Sequence, residues 1–239
     1  MKIIIITDTH ANYPALQAAL NAIHKEGYDL LVHTGDAIAI GPHPAECLDM
    51  LLNTPNSQCL MGNHDVWFAR GLPALQPSWM SDGELAHQRW THAQLDPSLA
   101  EEVNQWPFEW AITMGETTLT FMHYAIDVIP NLKPIIRNPT RADLDTLFMD
   151  AHSHLVFYGH HHPFSDMVGD AGCRYINPGS LGCHTVAIAR YTVVQHSGSE
   201  VEVVHREVPY DDSQLFVDFE QRNVPEQTFL RRIFFGDRA

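Results

Sequence analysis

Basic residues are scarce in this chain of 239 residues: Lys and Arg number 14 against 29 Asp and Glu, for a formal net charge of −15. No segment gathers enough cations to form a stripe along a phosphate backbone, which argues against long nucleic acids and anionic membranes as partners. Long apolar runs are missing as well. The first, residues 3–6, is much shorter than a secretory signal core and leads directly into Thr7-Asp8-Thr9-His10. Nothing approaches the roughly 20 apolar residues of a membrane span. The four cysteines, Cys47, Cys59, Cys173 and Cys183, form no C-x-x-C pair, which favours reduced thiols over a disulfide framework. The expectation is a soluble, cytoplasmic protein, with homo-oligomerisation left open. Repeats and low-complexity linkers are also absent.

What is present begins with an ordinary core-forming composition, 45% hydrophobic, and an excess of histidine, 16 in all. The length suits a single domain over residues 1–239. The first third alternates short apolar runs with helical periodicity, which predicts βαβ units and a largely parallel sheet. Strands are expected at residues 2–7, 30–34 and 58–61. Helices are expected from Pro14 to a Gly27 stop and over residues 44–52. Residues 64–110 read as a helical insertion, with Ser81 and Glu84 as a capping box and Asp96-Pro97 as a further helix start. Trp67, Trp79, Trp90, Trp106 and Trp110 all fall there and are expected mainly to form its core, with a base-stacking platform as the alternative. Strand patterns return at residues 117–122, 155–158, 174–176, 185–194 and 200–208. A helix near Thr140 interrupts them and a helical tail runs over residues 212–235.

Polar groups able to bind a metal follow the ends of these strands. Asp8 and His10 stand two apart after the first, so in extended chain they would project to one side. His160 and His162 repeat that spacing after Gly159, with His161 directed away. Asp36 follows the second strand, Asn63 and His64 the third, and His123 the strand over residues 117–122. Ligand sites in open α/β sheets lie beyond the carboxyl ends of strands, and five strand ends here deliver such a group.

Asp8-Thr9-His10-Ala11-Asn12, Gly35-Asp36, Gly62-Asn63-His64-Asp65, His123, Gly159-His160-His161-His162 and Asn177-Pro178-Gly179-Ser180 appear in this order. In these segments the chain resembles the calcineurin-like metallophosphoesterases, and more narrowly a small bacterial branch that begins Asp-x-His-x-Asn. The resemblance implies an αββα sandwich of two mixed β-sheets flanked by helices. It implies two divalent metal ions. One would be held by Asp8, His10, Asp36 and His162, the other by Asp36, Asn63, His123 and His160, with Asp36 bridging. A metal-bridging hydroxide would attack phosphorus, His64 would protonate the leaving oxygen, and Asp65 would orient His64. Imidazole, carboxylate and amide donors suit Mn, Fe, Ni, Co or Zn better than Mg or Ca.

Related phosphoprotein phosphatases and symmetrical diadenosine tetraphosphatases carry a phosphate-clamping arginine in each of two motifs, where this chain has Ile40 and Met61. An apolar pair makes no bidentate contact with a phosphate dianion, so the expected substrate is a small organic or nucleotide phosphodiester. The alternatives are a phosphomonoesterase, an asymmetrical dinucleoside polyphosphate hydrolase, or a non-catalytic scaffold on the same fold.

Overall fold

The computed structural model describes residues 1–129, 131–197, 200–236 and 238. The first strand, β1 (Lys2–Ile6), is a run of isoleucines buried on both faces, the pattern of a central strand covered on each side. α1 (Tyr13–Glu26) is capped by Asn12, whose side chain accepts from Ala15 N–H. It ends where Gly27 N–H returns to the Ile23 carbonyl. β2 (Leu30–His33), α2 (Pro44–Leu52) and β3 (Ser57–Cys59) complete the expected βαβ run. α3 (Asn63–Arg70), α4 (Asp82–Ala93) and α5 (Leu99–Val103) follow. At α4 only half of the expected capping box is recorded, Glu84 N–H donating to Ser81 Oγ at 3.0 Å.

The second half holds β4 (Glu109–Met114), β5 (Thr117–Met122), β6 (Ile126–Val128), β7 (Asn131–Leu132), α6 (Arg141–Leu147), β8 (Leu155–Phe157), β9 (Ser165–Val168), β10 (Arg174–Asn177), β11 (Ile188–Ser197) and β12 (Glu200–Pro209). The tail forms α7 (Ser213–Gln221) and α8 (Gln227–Leu230), which continues as a π-helical turn, Arg231–Phe235. β4, β6, β7 and β9 lie outside the sequence expectation, and β11 starts three residues later than expected.

Among the described residues, two five-stranded sheets form, in the orders β12-β11-β1-β2-β3 and β4-β5-β8-β10-β9, with β6 and β7 as a separate small pair. In the first, β1, β2 and β3 run parallel, β11 is antiparallel to β1, and β12 is antiparallel to β11. In the second, β5, β8 and β10 run parallel between antiparallel β4 and β9. Both sheets are therefore mixed. Because side chains alternate along a strand, Ile3 and Ile5 face the second sheet, meeting Leu119, Phe121, Phe157 and Ile176. Ile4 and Ile6 face outward onto Leu16, Leu20 and Ile23 of α1 and Leu48 of α2. On the outer face of the second sheet, Val156, Tyr158 and Tyr175 pack against Leu144 and Leu147 of α6. The order is helix, sheet, sheet, helix, the αββα sandwich.

The helices after β3 share a core with α1 and α2, through Val66, Phe68, Leu95, Val103 and Trp106. The expected tryptophan core forms only in part, with Trp106 in this cluster and Trp67 packed against it. Trp106 is buried there, Trp110 stacks on Phe121 between the sheets, Trp90 packs against the tail cluster, and Trp79, 63% exposed, stacks on Trp67. Trp67 and Trp90 lie on different helices, Trp79 and Trp106 in loops and Trp110 on β4, so no common helical face collects them. Among the described residues no helix is long and apolar enough to cross a membrane.

Candidate metal centre

The loops leaving β1, β2, β3, β5 and β8 carry the polar residues singled out above. Their backbone is not the extended chain expected for Asp8 and His10. Asp8 (φ 51°), His10 (φ 47°), Ala11 (φ 50°), Asp36 (φ 60°) and His160 (φ 64°) are all left-handed, a region costly to residues with a Cβ unless the surroundings impose it. The imposition is a zip between two loops: Asp8, His10 and Ala11 N–H donate to the carbonyls of Gly35, Asp36 and Ala37, each at 3.0 Å. Asp8 and His10 thus share a side through a coiled backbone. Gly62 is required for the third loop to approach, since a Cβ there would run into the backbone nitrogen and carboxylate of Asp36.

These loops place the side chains in one buried ring. His10 Nε2 lies 3.5 Å from Asp8 Oδ1 and 3.8 Å from Asp36 Oδ2, and His162 Nε2 lies 3.7 Å from Asp8 Oδ1. His123 Nε2 is 3.1 Å from Asp36 Oδ2. Three groups offer donor atoms within 4.8 Å of one another: His10, Asp36 and His64; Asp36, His123 and His160; and His10, His162 and Cys183. Asp36 belongs to two of them. His123 Nε2 and Asn63 Oδ1 are buried without hydrogen-bond partners, the kind of orphaned polar atom that calls for an explanation. Lone-pair donors converging on a shared space, two of them otherwise unsatisfied, fit divalent cations. His161 takes part in none of these groups.

The charge states of Asp8, Asp36, His160 and His162 agree, and that of His123, which must lose a proton to bind a cation, does not. Burial opposes ionisation of Asp8 and Asp36, but the surrounding imidazoles outweigh it and hold both carboxyls well below the usual range. Burial pushes His160 to about 4 and His162 to about 3, leaving neutral rings with the free lone pair that coordination needs. For His123 burial acts in the same direction, but Asp36 overrides it and raises the ring to about 9. Its Nδ1 lies 2.9 Å from the Thr34 carbonyl, so Nδ1–H donates there and Nε2 faces Asp36, the ring orientation typical of a metal-binding histidine.

One role differs from expectation. Asp65 does not orient His64: its carboxylate accepts from the backbone N–H groups of Asp36 (2.7 Å), Gly62 (3.0 Å) and Ala37 (3.1 Å). It shapes the loop that presents Asp36, because its position in the first turn of α3 turns it toward that loop. Burial and then the Asp36 charge raise its pKa to about 7. The partner of His64 is Gln88 of α4, whose Nε2 is 2.8 Å from His64 Nδ1. No spacing rule links residues 64 and 88, so nothing in the residue order marks the pair. The turn after β10 supports the histidine loop. Asn177 Nδ2 donates to the His161 carbonyl at 2.5 Å, and Ser180 N–H to the His162 carbonyl at 2.8 Å. Ile40 and Met61 are both buried, at 4% and 1% exposure.

A family model described as the calcineurin-like phosphoesterase superfamily domain matches residues 1–201. The chain is 25% identical over 257 residues to an uncharacterized protein of Methanocaldococcus jannaschii, covering 98% of each. Its structure is similar to that of a hypothetical protein of Pyrococcus horikoshii, with a TM-score of 0.82 at 20% identity over 100% of this chain and 99% of the other. It is also similar to a metallophosphoesterase of Sphaerobacter thermophilus, with a TM-score of 0.72 at 22% identity over 97% of both. The matched span contains the whole polar ring and every strand of the two sheets up to β11, and the chain belongs to the calcineurin-like phosphoesterase superfamily.

Proposed function

We propose that this protein is a dinuclear metal-dependent phosphoesterase that hydrolyses phosphodiester bonds of small organic or nucleotide substrates. The observation that carries this reading is Asp36, a single buried carboxylate shared by two groups of donors. Asp8, His10, Asp36 and His162 are assigned to one cation, and Asp36, Asn63, His123 and His160 to the other. Bound there, two divalent ions supply charge stabilisation at the phosphoryl oxygens and a nucleophilic water at neutral pH. The donor set suits Mn, Fe, Ni, Co or Zn.

The chain's own groups do the rest. His64 N–H donates to Asp36 Oδ1 at 3.0 Å through the backbone, so the first turn of α3 is anchored to the shared carboxylate. Burial lowers His64 to about 4, so the ring is neutral; with Gln88 Nε2 donating to Nδ1, its Nε2–H hydrogen-bonds the leaving oxygen as the ester bond breaks and water supplies the proton. Buried Ile40 and Met61 leave no bidentate clamp for a dianion, which favours a diester with its single charge.

The test is hydrolysis of bis(p-nitrophenyl) phosphate and p-nitrophenyl phosphate by metal-stripped protein refilled with Mn²⁺. Diester cleavage that depends on metal and vanishes in Asp36→Ala is the expected result. Preference for the monoester supports the phosphomonoesterase alternative, and silence on both substrates with metal bound supports the scaffold.

A further inference from the structure

We propose that Cys183 is a ligand of this centre, its thiolate joining His10 and His162 on the first cation; the inference rests on the metal-centre reading above. Cys183 is 4% exposed, and its Sγ lies within 4.8 Å of ring nitrogens of both histidines. Among the described residues no other cysteine belongs to such a group. Cys47 and Cys59 sit in the apolar core under α1 and α2, and Cys173 is half-buried at the start of β10.

The loop that carries Cys183 is bolted to the loop that carries Asp8 and His10. Leu181 N–H donates to the Thr7 carbonyl at 2.9 Å and Gly182 N–H to the Asp8 carbonyl at 3.0 Å. Ser180 Oγ donates to the Asp8 carbonyl at 2.8 Å and in turn accepts from Cys183 N–H at 2.8 Å. Asn12 Nδ2 closes the set on the Gly182 carbonyl at 2.7 Å. The approach is close enough that any side chain at position 182 would meet the Thr9 carbonyl. Ligand geometry tolerates little play, and this scaffold holds the Cys183 backbone at a fixed offset from the two histidines. On its other side Cys183 packs with Ile40, Leu215, Phe219 and Phe235, which shield the sulfur from solvent.

As the Sγ–metal bond forms, the thiol proton passes to solvent and a sulfur lone pair enters the coordination sphere. With Asp8, His10, Asp36 and His162, the first cation then has a mixed nitrogen, oxygen and sulfur set. A soft donor favours Zn²⁺, Co²⁺ and Fe²⁺ over Mn²⁺, so the two halves of the centre differ in metal preference, the softer half on the Cys183 side.

The experiment is titration of the metal-stripped full chain with Co²⁺. Visible d–d bands and bound cobalt report occupancy, and a near-ultraviolet thiolate-to-cobalt charge-transfer band reports the sulfur. The expected result is a charge-transfer band that is kept in Cys173→Ser and lost in Cys183→Ser and Cys183→Ala, with cobalt still bound in all of them. Competition should also show a fall in the preference for Zn²⁺ over Mn²⁺ on removal of the thiol. Cobalt bound by the unaltered chain without the band overturns the proposal whatever the variants do, and so does a band that survives in Cys183→Ser. Failure to take up cobalt at all overturns the metal-centre reading itself, and the proposal with it.

Discussion

Gln88 Nε2 stands 2.8 Å from His64 Nδ1, tying the middle of α4 to the first turn of α3. Gln88 fixes both the tautomer of the neutral His64 ring and the direction of its Nε2–H toward the leaving oxygen. Gln88→Leu is expected to lower kcat about 10- to 100-fold on diesters with alkyl leaving groups, a fraction of what general acids contribute, with little change in KM. Nitrophenolate leaves without a proton, so the loss should shrink on nitrophenyl esters. An equal loss across a leaving-group series would assign Gln88 a structural role only.

Asp65 gives a contrasting case. It accepts three backbone N–H groups around Asp36 and, among the described residues, makes no hydrogen bond to the His64 ring. Asp65→Asn presents a donor to those donors and is expected to cost roughly 1–3 kcal/mol of stability, together with weaker metal retention. Urea unfolding of the metal-free protein and metal analysis after dialysis measure the two effects. A variant with unchanged stability and an altered pH–rate profile would instead return Asp65 to the role of orienting His64.

Acid should loosen a clasp between the sheets. Asp166 on β9 receives Arg174 Nε (2.8 Å) and Nη2 (2.7 Å) and lies 2.7 Å from His205 Nε2 on β12. Burial opposes its ionisation, but these bonds outweigh it and hold the carboxyl below its ordinary value of 3.8. A folded pKa below the unfolded one adds stability that is present above that ordinary value and lost as pH falls through the folded one. Asp166→Asn is expected to cost about 1–2 kcal/mol at neutral pH, given partial exposure, and to flatten the fall in melting temperature below about pH 4. An unchanged acid limb would remove Asp166 from this account.

Phe157 is fully buried between the sheets and stacks on Phe121 with ring centroids 5.4 Å apart. Phe157→Ala is expected to cost about 3–5 kcal/mol in urea unfolding. A loss below 1 kcal/mol would mean that the sheets close over the gap.

The sequence made the strands that feed the site legible because each is an apolar run that stops at a metal-competent residue. Ile3 to Ile6 before Asp8 is the plainest case. The edge strands of the second sheet, β4 and β9, were not legible. In β4, Glu109, Ala111 and Thr113 are exposed while Met114 is buried, so no continuous run marks the strand, and Trp106 and Trp110 read as a helical pattern instead. In β9, Ser165-Asp166-Met167-Val168 is only half apolar and leaves Val168 exposed at the edge of the sheet, so no apolar run marks it. The ring of donors was legible as residue types at strand ends, but its left-handed backbone was not, since Asp8, His10 and Asp36 adopt that conformation only because two loops bond to each other. Gln88 and Cys183 reach the site solely through tertiary folding.

The donors divide between the layers. Asp8, His10, Asp36 and Asn63 follow strands of the first sheet, while His123, His160 and His162 follow strands of the second. A cation gripped by Asp36 and His123 is thereby a cross-link between two faces otherwise joined chiefly by apolar side chains. Loading and folding become one linked equilibrium, so resistance to heat should rise with the logarithm of free metal concentration. A cell poor in such metals would hold a looser protein as well as an idle one.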